Sequence, residues 1–296
     1  NGLLPFSASV LDQFDDIFAV RESPPVEPLP DCHDPDDDTY RIDIDQIWIK
    51  DIDGNPHKVP TLPWVMDHLP KYKASDQIGA RYEHYQHMPQ QLVHHYVQAA
   101  LHGRFTGAFA HMWRSGLVYA GDKGKLDKQG RQAARPIVVG MALRRITGRV
   151  PCAQLKDQIS SLFLKYRQLG VAVPAGIEVA WHTVNAMLTY LDSEAQDSRD
   201  PDDMPVVLAW DQADAFPNCW RSSLFKNVVK HMPTLLSYTA QCYEGSGQIM
   251  AVSDSKLVKT WDCSTGVWQG DPLGTHHMMF AIIDFLQAML DKFTPE

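Results

Sequence analysis

The sequence predicts an α+β fold. Much of the chain carries apolar residues at helical spacing, as in 92–101, where they fall on one stripe. Strand patterns are fewer: one hairpin pattern lies before residue 60, and three short strand candidates lie after residue 205. With 296 residues, of which 44% are hydrophobic and 21% charged, the chain can bury one large core or two modest ones.

Residues 1–60 form the first predicted region. Residues 1–45 hold twelve acidic and two basic groups and several prolines, so we expect little core of their own. The pattern over 47–55 predicts a hairpin with its turn at Asp53-Gly54. This region is therefore an acidic, proline-rich leader that ends in a hairpin.

Apolar spacing predicts the helices that follow. They span 89–103, 105–113, 152–169, 177–191, 220–232 and 235–243, and a last helix begins near Thr275 and runs to Leu290. A polar, proline-interrupted segment over 192–204 predicts a surface loop. The predicted strands are 206–210, 248–252 and 256–259.

Charge is segregated along the chain. The net charge is −9, yet residues 101–170 hold 13 basic against 3 acidic groups, while the remainder holds 14 against 33. Such a basic block attracts phosphates through counterion release, and a solvated surface face fits the same charge equally well. A nucleic-acid partner is therefore compatible with an acidic chain.

Cysteines and apolar runs indicate the compartment. The five cysteines are odd in number, widely spread and never spaced C-x-x-C, which argues against a disulfide framework and a zinc ribbon. The longest apolar runs are too short to cross a bilayer and no signal segment opens the chain. We expect an intracellular protein, nuclear or cytoplasmic, without a membrane partner.

Asp211 follows the predicted strand 206–210 directly. A carboxylate at the end of a buried strand, before a turn into a helix, is well placed to hold a divalent metal ion. A helix N-cap or a structural aspartate explains the same position. The neighbouring motifs distinguish these readings.

Three segments resemble motifs of one family. Residues 211–216 read DQADAF, residues 264–274 read STGVWQGDPLG, and residues 134–145 read ARPIVVGMALRR. In this chain they resemble the D-x-x-x-A-[FY] and Q-G-D-P-L palm motifs and the R-P-I-x-x-G-x-x-L-R-R fingers motif of reverse transcriptases, in the form found in retrotransposons without long terminal repeats. Several motifs in order are stronger evidence than any one alone.

The resemblance covers about residues 70–296, including a linking segment over 168–178, and implies a right-hand polymerase. The fingers would span 61–200, helical with the basic segment 101–170. A partial palm with an antiparallel sheet would span 201–296, and the thumb would be absent.

The resemblance also implies roles for the palm residues. Asp211 would ligate two catalytic Mg²⁺ ions, with Mn²⁺ as a substitute, and Gln212 would offer its backbone carbonyl. The backbone amides of Asp214 and Ala215 would face the triphosphate. Phe216 would pack beneath the incoming sugar and exclude a 2′-hydroxyl.

Further nucleotide contacts are implied by the other two motifs. Gln269 would bond the nucleotide or template, while Gly270 permits close backbone approach. Arg135 would contact the triphosphate, which suits its guanidinium fork. A partner lysine is expected at 123, 125 or 128; the spacing does not choose among them, and Lys123 is preferred.

Departures from the family pattern limit the expectation. Pro217 stands where the family usually has asparagine, and Trp268 replaces a frequent basic residue. Asp284 and Asp291 lie in a helix pattern and do not resemble the paired aspartates. The first residue is Asn1, and the chain stops soon after an apolar helix, so we expect a fragment, truncated before the paired aspartates and inactive alone.

The implied function is that of an RNA-directed DNA polymerase, a nucleotidyltransferase. It would add deoxynucleotides to a primer 3′-hydroxyl by two-metal catalysis. Its partners would be an RNA template, a DNA primer and deoxynucleoside triphosphates. The alternative is a non-catalytic retroelement remnant that binds nucleic acid or a protein through the basic block.

Overall fold

The computed structural model describes residues 2–19, 21, 24–32, 37–194, 211–212 and 214–293. It is a mixed α/β structure with 49% helix and 18% strand, so helices outweigh the sheets. One sheet has five strands and a second has two.

Seven strands occur in the described part of the chain. They are β1 (Leu3–Leu4), β2 (Gln46–Lys50), β3 (Pro56–Pro60), β4 (Gly116–Leu126), β5 (Gln132–Gly140), β6 (Gly247–Ser253) and β7 (Lys256–Cys263). The α-helices there are α1 (Ala8–Phe18), α2 (Thr61–Asp67), α3 (Tyr82–Gln86), α4 (Gln90–Leu101), α5 (Gly107–Trp113), α6 (Ala142–Gln154), α7 (Lys156–Lys165), α8 (Gly176–Glu194), α9 (Ala215–Asn218), α10 (Arg221–His231), α11 (Leu236–Tyr243) and α12 (Gly274–Phe293).

The larger sheet is built around β4. Strand β5 pairs antiparallel along one edge of β4. The other edge is shared, because Gly116 pairs with Ile249 of β6 in parallel and Gly121 pairs with Leu3 of β1 in antiparallel. Strand β7 then pairs antiparallel with β6. Strands β6 and β7 of the predicted palm region pair antiparallel as expected, but the whole sheet is mixed, because the long connection from β4 to β6 allows a parallel pair.

Three of the Asp-x-x-Gly segments, which begin at Asp51, Asp76 and Asp127, form the same kind of turn. In each turn the aspartate Oδ1 accepts hydrogen bonds of 2.8–3.0 Å from the N–H groups two and four residues later. The glycine of each turn has a φ between +75° and +85°. The first is the turn of the predicted hairpin, which is confirmed, and the third joins β4 to β5.

The N-terminal region contributes to the core. Helix α1 buries Phe14 and Ile17, which belong to the same core cluster as residues of β4 and α6. Asp15 on α1 accepts hydrogen bonds from Lys259 Nζ at 2.6 Å and Trp261 Nε1 at 2.8 Å. Residues 1–45 therefore add to the common core instead of forming one of their own, because one face of α1 is apolar and closes over β5 and β7.

Most predicted helices occur with shifted boundaries. The predicted helix over 152–169 is divided at Leu155 into α6 and α7, and Pro151, which cannot donate a backbone hydrogen bond, lies in the last turn of α6. The last helix begins at Gly274, one residue before the predicted Thr275. Strand 206–210 and residues 195–204 of the predicted loop 192–204 lie outside the described residues, while residues 192–194 belong to α8 and not to a loop.

Helix α8 has an unusually apolar surface. Trp181 is 63% and Met187 is 57% exposed. Across the described helices, none combines the length and apolar character that a membrane crossing requires.

Candidate functional site

The loop over 264–274 packs against α9, so two of the three motifs are in contact. Val267 N–H donates to the carbonyl of Phe216 at 2.8 Å, and Gly266 N–H donates to the carbonyl of Cys219 at 3.0 Å. Because both hydrogen bonds are between backbone atoms, they fix the relative position of the two segments whatever the side chains.

Two glycines allow this loop its close contacts. Gly266 has a φ of +68°, and a Cβ there would lie 2.3 Å from the carbonyl oxygen of Pro217. A Cβ at Gly270 would lie 2.2 Å from the carbonyl oxygen of Val138 in β5. The loop therefore touches both α9 and the strand that carries the third motif, and larger residues would separate them.

A buried ion pair holds the 264–274 loop to α6. Arg144 donates to Asp271 Oδ2 from Nε at 2.9 Å and from Nη2 at 2.6 Å, and both side chains are 1% exposed. The guanidinium lies 4.0 Å from the Trp268 ring centroid and 5.0 Å from that of Tyr243. Its Nη1 also donates to the carbonyl of Trp113 at 3.0 Å. The arginine is thus both paired and hydrogen-bonded, as a buried charge must be.

The sequence motifs gave neither Arg144 nor Asp271 a chemical role. A signal was present, because Arg144 follows the apolar run 141–143 at the start of a buried helix. A charge in such a place needs a partner. Sequence alone does not show that this partner is Asp271, far along the chain.

Lys123 and Asp214 form a second ion pair at the front of the site. The Lys123 Nζ to Asp214 Oδ1 distance is 3.0 Å, and the two side chains are 24% and 28% exposed. Asp214 has φ 46° and ψ 48°, a left-handed conformation that starts α9 at Ala215. The pair connects the far end of β4 to the 211–216 segment.

Arg135 lies on β5, in register with Gly121 of β4. Its side chain is exposed, and within the described ranges it has no ion-pair partner. Arg135 and Lys123 are therefore on the same hairpin, and the guanidinium of Arg135 is available to an anion.

The metal-binding prediction rests on Asp211 and Gln212, which differ in their exposure to solvent. Asp211 is exposed and Gln212 is half-buried, while the strand expected before them lies outside the described residues. Mg²⁺ prefers six oxygen ligands in octahedral geometry. No group of three or more His, Cys, Asp or Glu side chains in the described part is placed to hold a metal ion. These residues alone therefore do not make a magnesium site.

A small cavity lies where the three motifs meet. Phe216 and Gln269 line it together with Pro136 and Val138 of β5, and its volume is about 10 Å³. A volume of this size holds about one water molecule. In this conformation the space between Phe216 and Gln269 is closed to a nucleotide.

A buried histidine supports the loop at the start of α12. His277 is fully buried, and its Nε2 lies 3.2 Å from Thr239 Oγ1. Burial lowers the pKa of His277 to about 3, although the nearby Asp271 opposes the shift. The imidazole is therefore neutral near pH 7 and adds no charge to the buried ion pair beside it.

The structure thus brings together β5, with Arg135, and the segments that hold Phe216, Gln269 and Gly270. It places Lys123 against Asp214, with Ala215 next in the chain, and leaves Asp211 and Gln212 without further metal ligands among the described residues. No protein-family model matches the chain, and no curated protein matches its sequence.

Proposed function

We propose that this chain carries the nucleotide-binding part of an RNA-directed DNA polymerase active site, of the kind found in non-LTR retrotransposons. One observation supports this most strongly: three motifs far apart in sequence meet in space. The Val267 N–H to Phe216 carbonyl bond of 2.8 Å joins the palm motifs, and Gly270 lies against Val138 of the fingers motif.

The residues of this site suit a deoxynucleoside triphosphate. The exposed guanidinium of Arg135 can bond two phosphate oxygens at once, and Lys123 adds a compact positive charge from the same hairpin. Phe216 would form a floor under the sugar, where an added 2′-hydroxyl would be rejected by contact with its ring.

In the proposed reaction the oxygen of the primer 3′-hydroxyl forms a bond to the α-phosphorus. The bond from that phosphorus to the pyrophosphate oxygen breaks, and the hydroxyl proton is released. Divalent ions supply charge neutralisation in this class of reaction. Since the described residues do not complete a metal site, we assign this chain the positioning of the triphosphate and sugar, with Asp211 and Gln212 at the metal edge.

For a nucleotide to enter, the site must open between the end of the β4–β5 hairpin and α9. The Lys123–Asp214 pair holds the end of the hairpin against α9, and the cavity behind it is about 10 Å³. The two side chains are only 24% and 28% exposed, and Asp122 N–H beside Lys123 donates to the carbonyl of Gly2 at 3.0 Å, so opening would have to break both contacts. Lys123 would then leave the Asp214 carboxylate and pair with a phosphate group of the nucleotide.

Binding of a fluorescent deoxynucleotide tests this proposal. We expect mant-dTTP to bind the chain, and Arg135→Ala and Lys123→Ala to weaken binding at least about tenfold, the loss of one charge-assisted contact. Lys125→Ala and Lys128→Ala are matched controls from the same hairpin. Equal affinity of Arg135→Ala and the wild-type chain contradicts the proposal.

Two further measurements address sugar selection and chemistry. Phe216→Ala should narrow the preference for mant-dTTP over its ribonucleotide counterpart, because the steric floor is lost. Extension of oligo(dT) on poly(rA) with dTTP and Mg²⁺ should depend on Asp211, so Asp211→Ala must remove any product that the chain forms.

The closed cavity favours one alternative, a non-catalytic module that binds RNA or a protein through the basic block. It predicts salt-dependent RNA affinity that survives Asp211→Ala, with neither dTTP binding nor primer extension. The polymerase proposal instead predicts dTTP binding that depends on Arg135.

A further inference from the structure

A second cavity lies where α2 meets the junction of α6 and α7. Its volume is about 250 Å³. Trp64 and His68 line it from α2, and Arg149 and Lys156 line it from α6 and α7. Aromatic rings and cations therefore face one space, and none of the described residues that line it is acidic.

The aromatic side is held in place. The Trp64 and His68 rings are stacked, with centroids 4.3 Å apart and an interplanar angle of 25°. The His68 Nδ1 lies 2.7 Å from the carbonyl oxygen of Trp64, and Val65 between them is buried in the core. A flat ring pair fixed on an anchored helix is preorganised to stack a further ring.

Neither Arg149 nor Lys156 has an ion-pair partner among the described residues. The Arg149 Nε is shielded from solvent and makes no hydrogen bond there. Cys152 stands beside them, and burial raises the pKa of its thiol to about 12, so it adds no negative charge at neutral pH.

We propose that this cavity binds one nucleotide of a single-stranded RNA, with the base against Trp64 and His68 and the phosphate at Arg149 and Lys156. A base offers a flat face that can stack on the ring pair. Its phosphate offers a negative charge with which both cations can pair. In a duplex both faces of a base are covered by stacking, so only an unpaired strand presents one. The proposal does not depend on the polymerase function.

The position of the cavity relates it to the candidate site. Arg149 follows Arg144 by five residues on α6, which is about 8 Å along the helix axis. Cys152 Sγ donates to the carbonyl of Pro272 in the loop of the candidate site at 3.5 Å. One helix therefore carries both the cavity cations and the arginine that fastens that loop.

Fluorescence anisotropy with labelled rA₁₂ over a range of salt concentrations tests the proposal. Trp64→Ala should weaken binding about tenfold or more while leaving the salt dependence unchanged, because stacking involves no counterion release. Lys156→Glu and Arg149→Gln should weaken binding and reduce the slope of log K against log salt by about 0.7 or more per cation lost.

Two matched controls are available. Trp48 on β2 is 67% exposed with Lys58 over its ring at 5.3 Å, and it does not line the cavity. Lys165 lies on α7 with Lys156 but outside the cavity. Trp48→Ala and Lys165→Glu should leave the affinity within about twofold of wild type. Trp64→Phe should restore most of the loss, and thermal melting verifies that each variant is folded.

Several results would overturn the proposal. One is a loss in Lys165→Glu equal to that in Lys156→Glu, which indicates a diffuse basic surface. Another is binding of an RNA duplex as tightly as rA₁₂. Displacement of rA₁₂ by AMP at equal concentration would assign the cavity to a free mononucleotide. If the cavity variants are folded and keep full RNA affinity, the cavity does not bind RNA. A protein partner is then the alternative occupant.

Discussion

Arg144 and Asp271 form a fully buried ion pair, closed by two hydrogen bonds of 2.9 and 2.6 Å to one carboxylate oxygen. The pair joins the helix that follows β5 to the loop that precedes α12. Placing two charges in the core is costly, so such a pair is not by itself a source of stability. It does make the position of the 264–274 loop sensitive to either residue.

We expect Arg144→Met and Asp271→Asn each to lower the free energy of unfolding by about 3–5 kcal/mol, because each leaves a buried polar partner without compensation. The double variant should lose less than the sum of the two. Urea unfolding followed by circular dichroism measures both values. The Lys226–Asp284 pair also spans 3.0 Å but is 58% and 45% exposed, so Lys226→Met should cost less than about 1 kcal/mol. Strict additivity of the buried pair would contradict this account.

Gly266 and Gly54 separate backbone strain from steric contact. Both have positive φ, +68° and +85°, but a Cβ at Gly54 meets no atom within 4 Å, while one at Gly266 would lie 2.3 Å from the Pro217 carbonyl. Gly54→Ala should cost about 1–2 kcal/mol, the left-handed penalty alone. Gly266→Ala should cost more and should also weaken mant-dTTP binding, since it displaces the α9 segment with Phe216. Equal losses of stability would show that the contact yields freely.

Asp214 competes with a phosphate for Lys123 if the proposed nucleotide site is correct. Asp214→Asn keeps the side-chain shape and removes the charge from the 3.0 Å pair. We therefore expect mant-dTTP to bind the variant severalfold more tightly, and Asp214→Asn combined with Lys123→Ala to lose that gain. Isothermal titration at low and moderate salt measures the effect, which should shrink as salt increases.

His277 predicts destabilisation by acid. Its pKa is lowered by burial to about 3, from about 6.5 in the unfolded chain, so the unfolded state binds more protons between these values. Stability should be complete above about pH 6.5 and should fall as the pH decreases toward 3, by at most about 3–5 kcal/mol from this group. His277→Gln should flatten the pH dependence of urea unfolding. His276, whose pKa is also lowered by burial, would keep a smaller slope, and exposed His95→Gln is the control.

Sequence patterns predicted structure best where it is set by residues a few positions apart, as in turns. The hairpin of β2 and β3 was predicted because its turn is specified by Asp51 to Gly54, and the same bonding occurs from Asp127 to Gly130 in the hairpin of β4 and β5. That second hairpin lies in a region expected to be helical and was not predicted. Its turn pattern was available, but the glycines and lysines of β4 obscure the alternation of a strand.

Long-range contacts could not be predicted from the sequence. The motifs around Phe216 and Gln269 were identified by resemblance, but their contact with β5 depends on the fold as a whole. The pairing of Arg144 with Asp271 and the anchoring of α1 through Asp15 join residues far apart in the chain. Propensity and spacing act over a few residues, so they cannot specify such partners.

The shared edge of β4 has a consequence for synthesis of the chain. Leu3 cannot pair until Gly121 has been synthesised, and Gly116 cannot pair with β6 until Ile249 has been synthesised. Until Ile249 has left the ribosome, the hairpin of β4 and β5 presents open backbone groups to other chains. Contacts of such high sequence separation also slow folding. The larger sheet therefore cannot be completed before most of the chain has been synthesised.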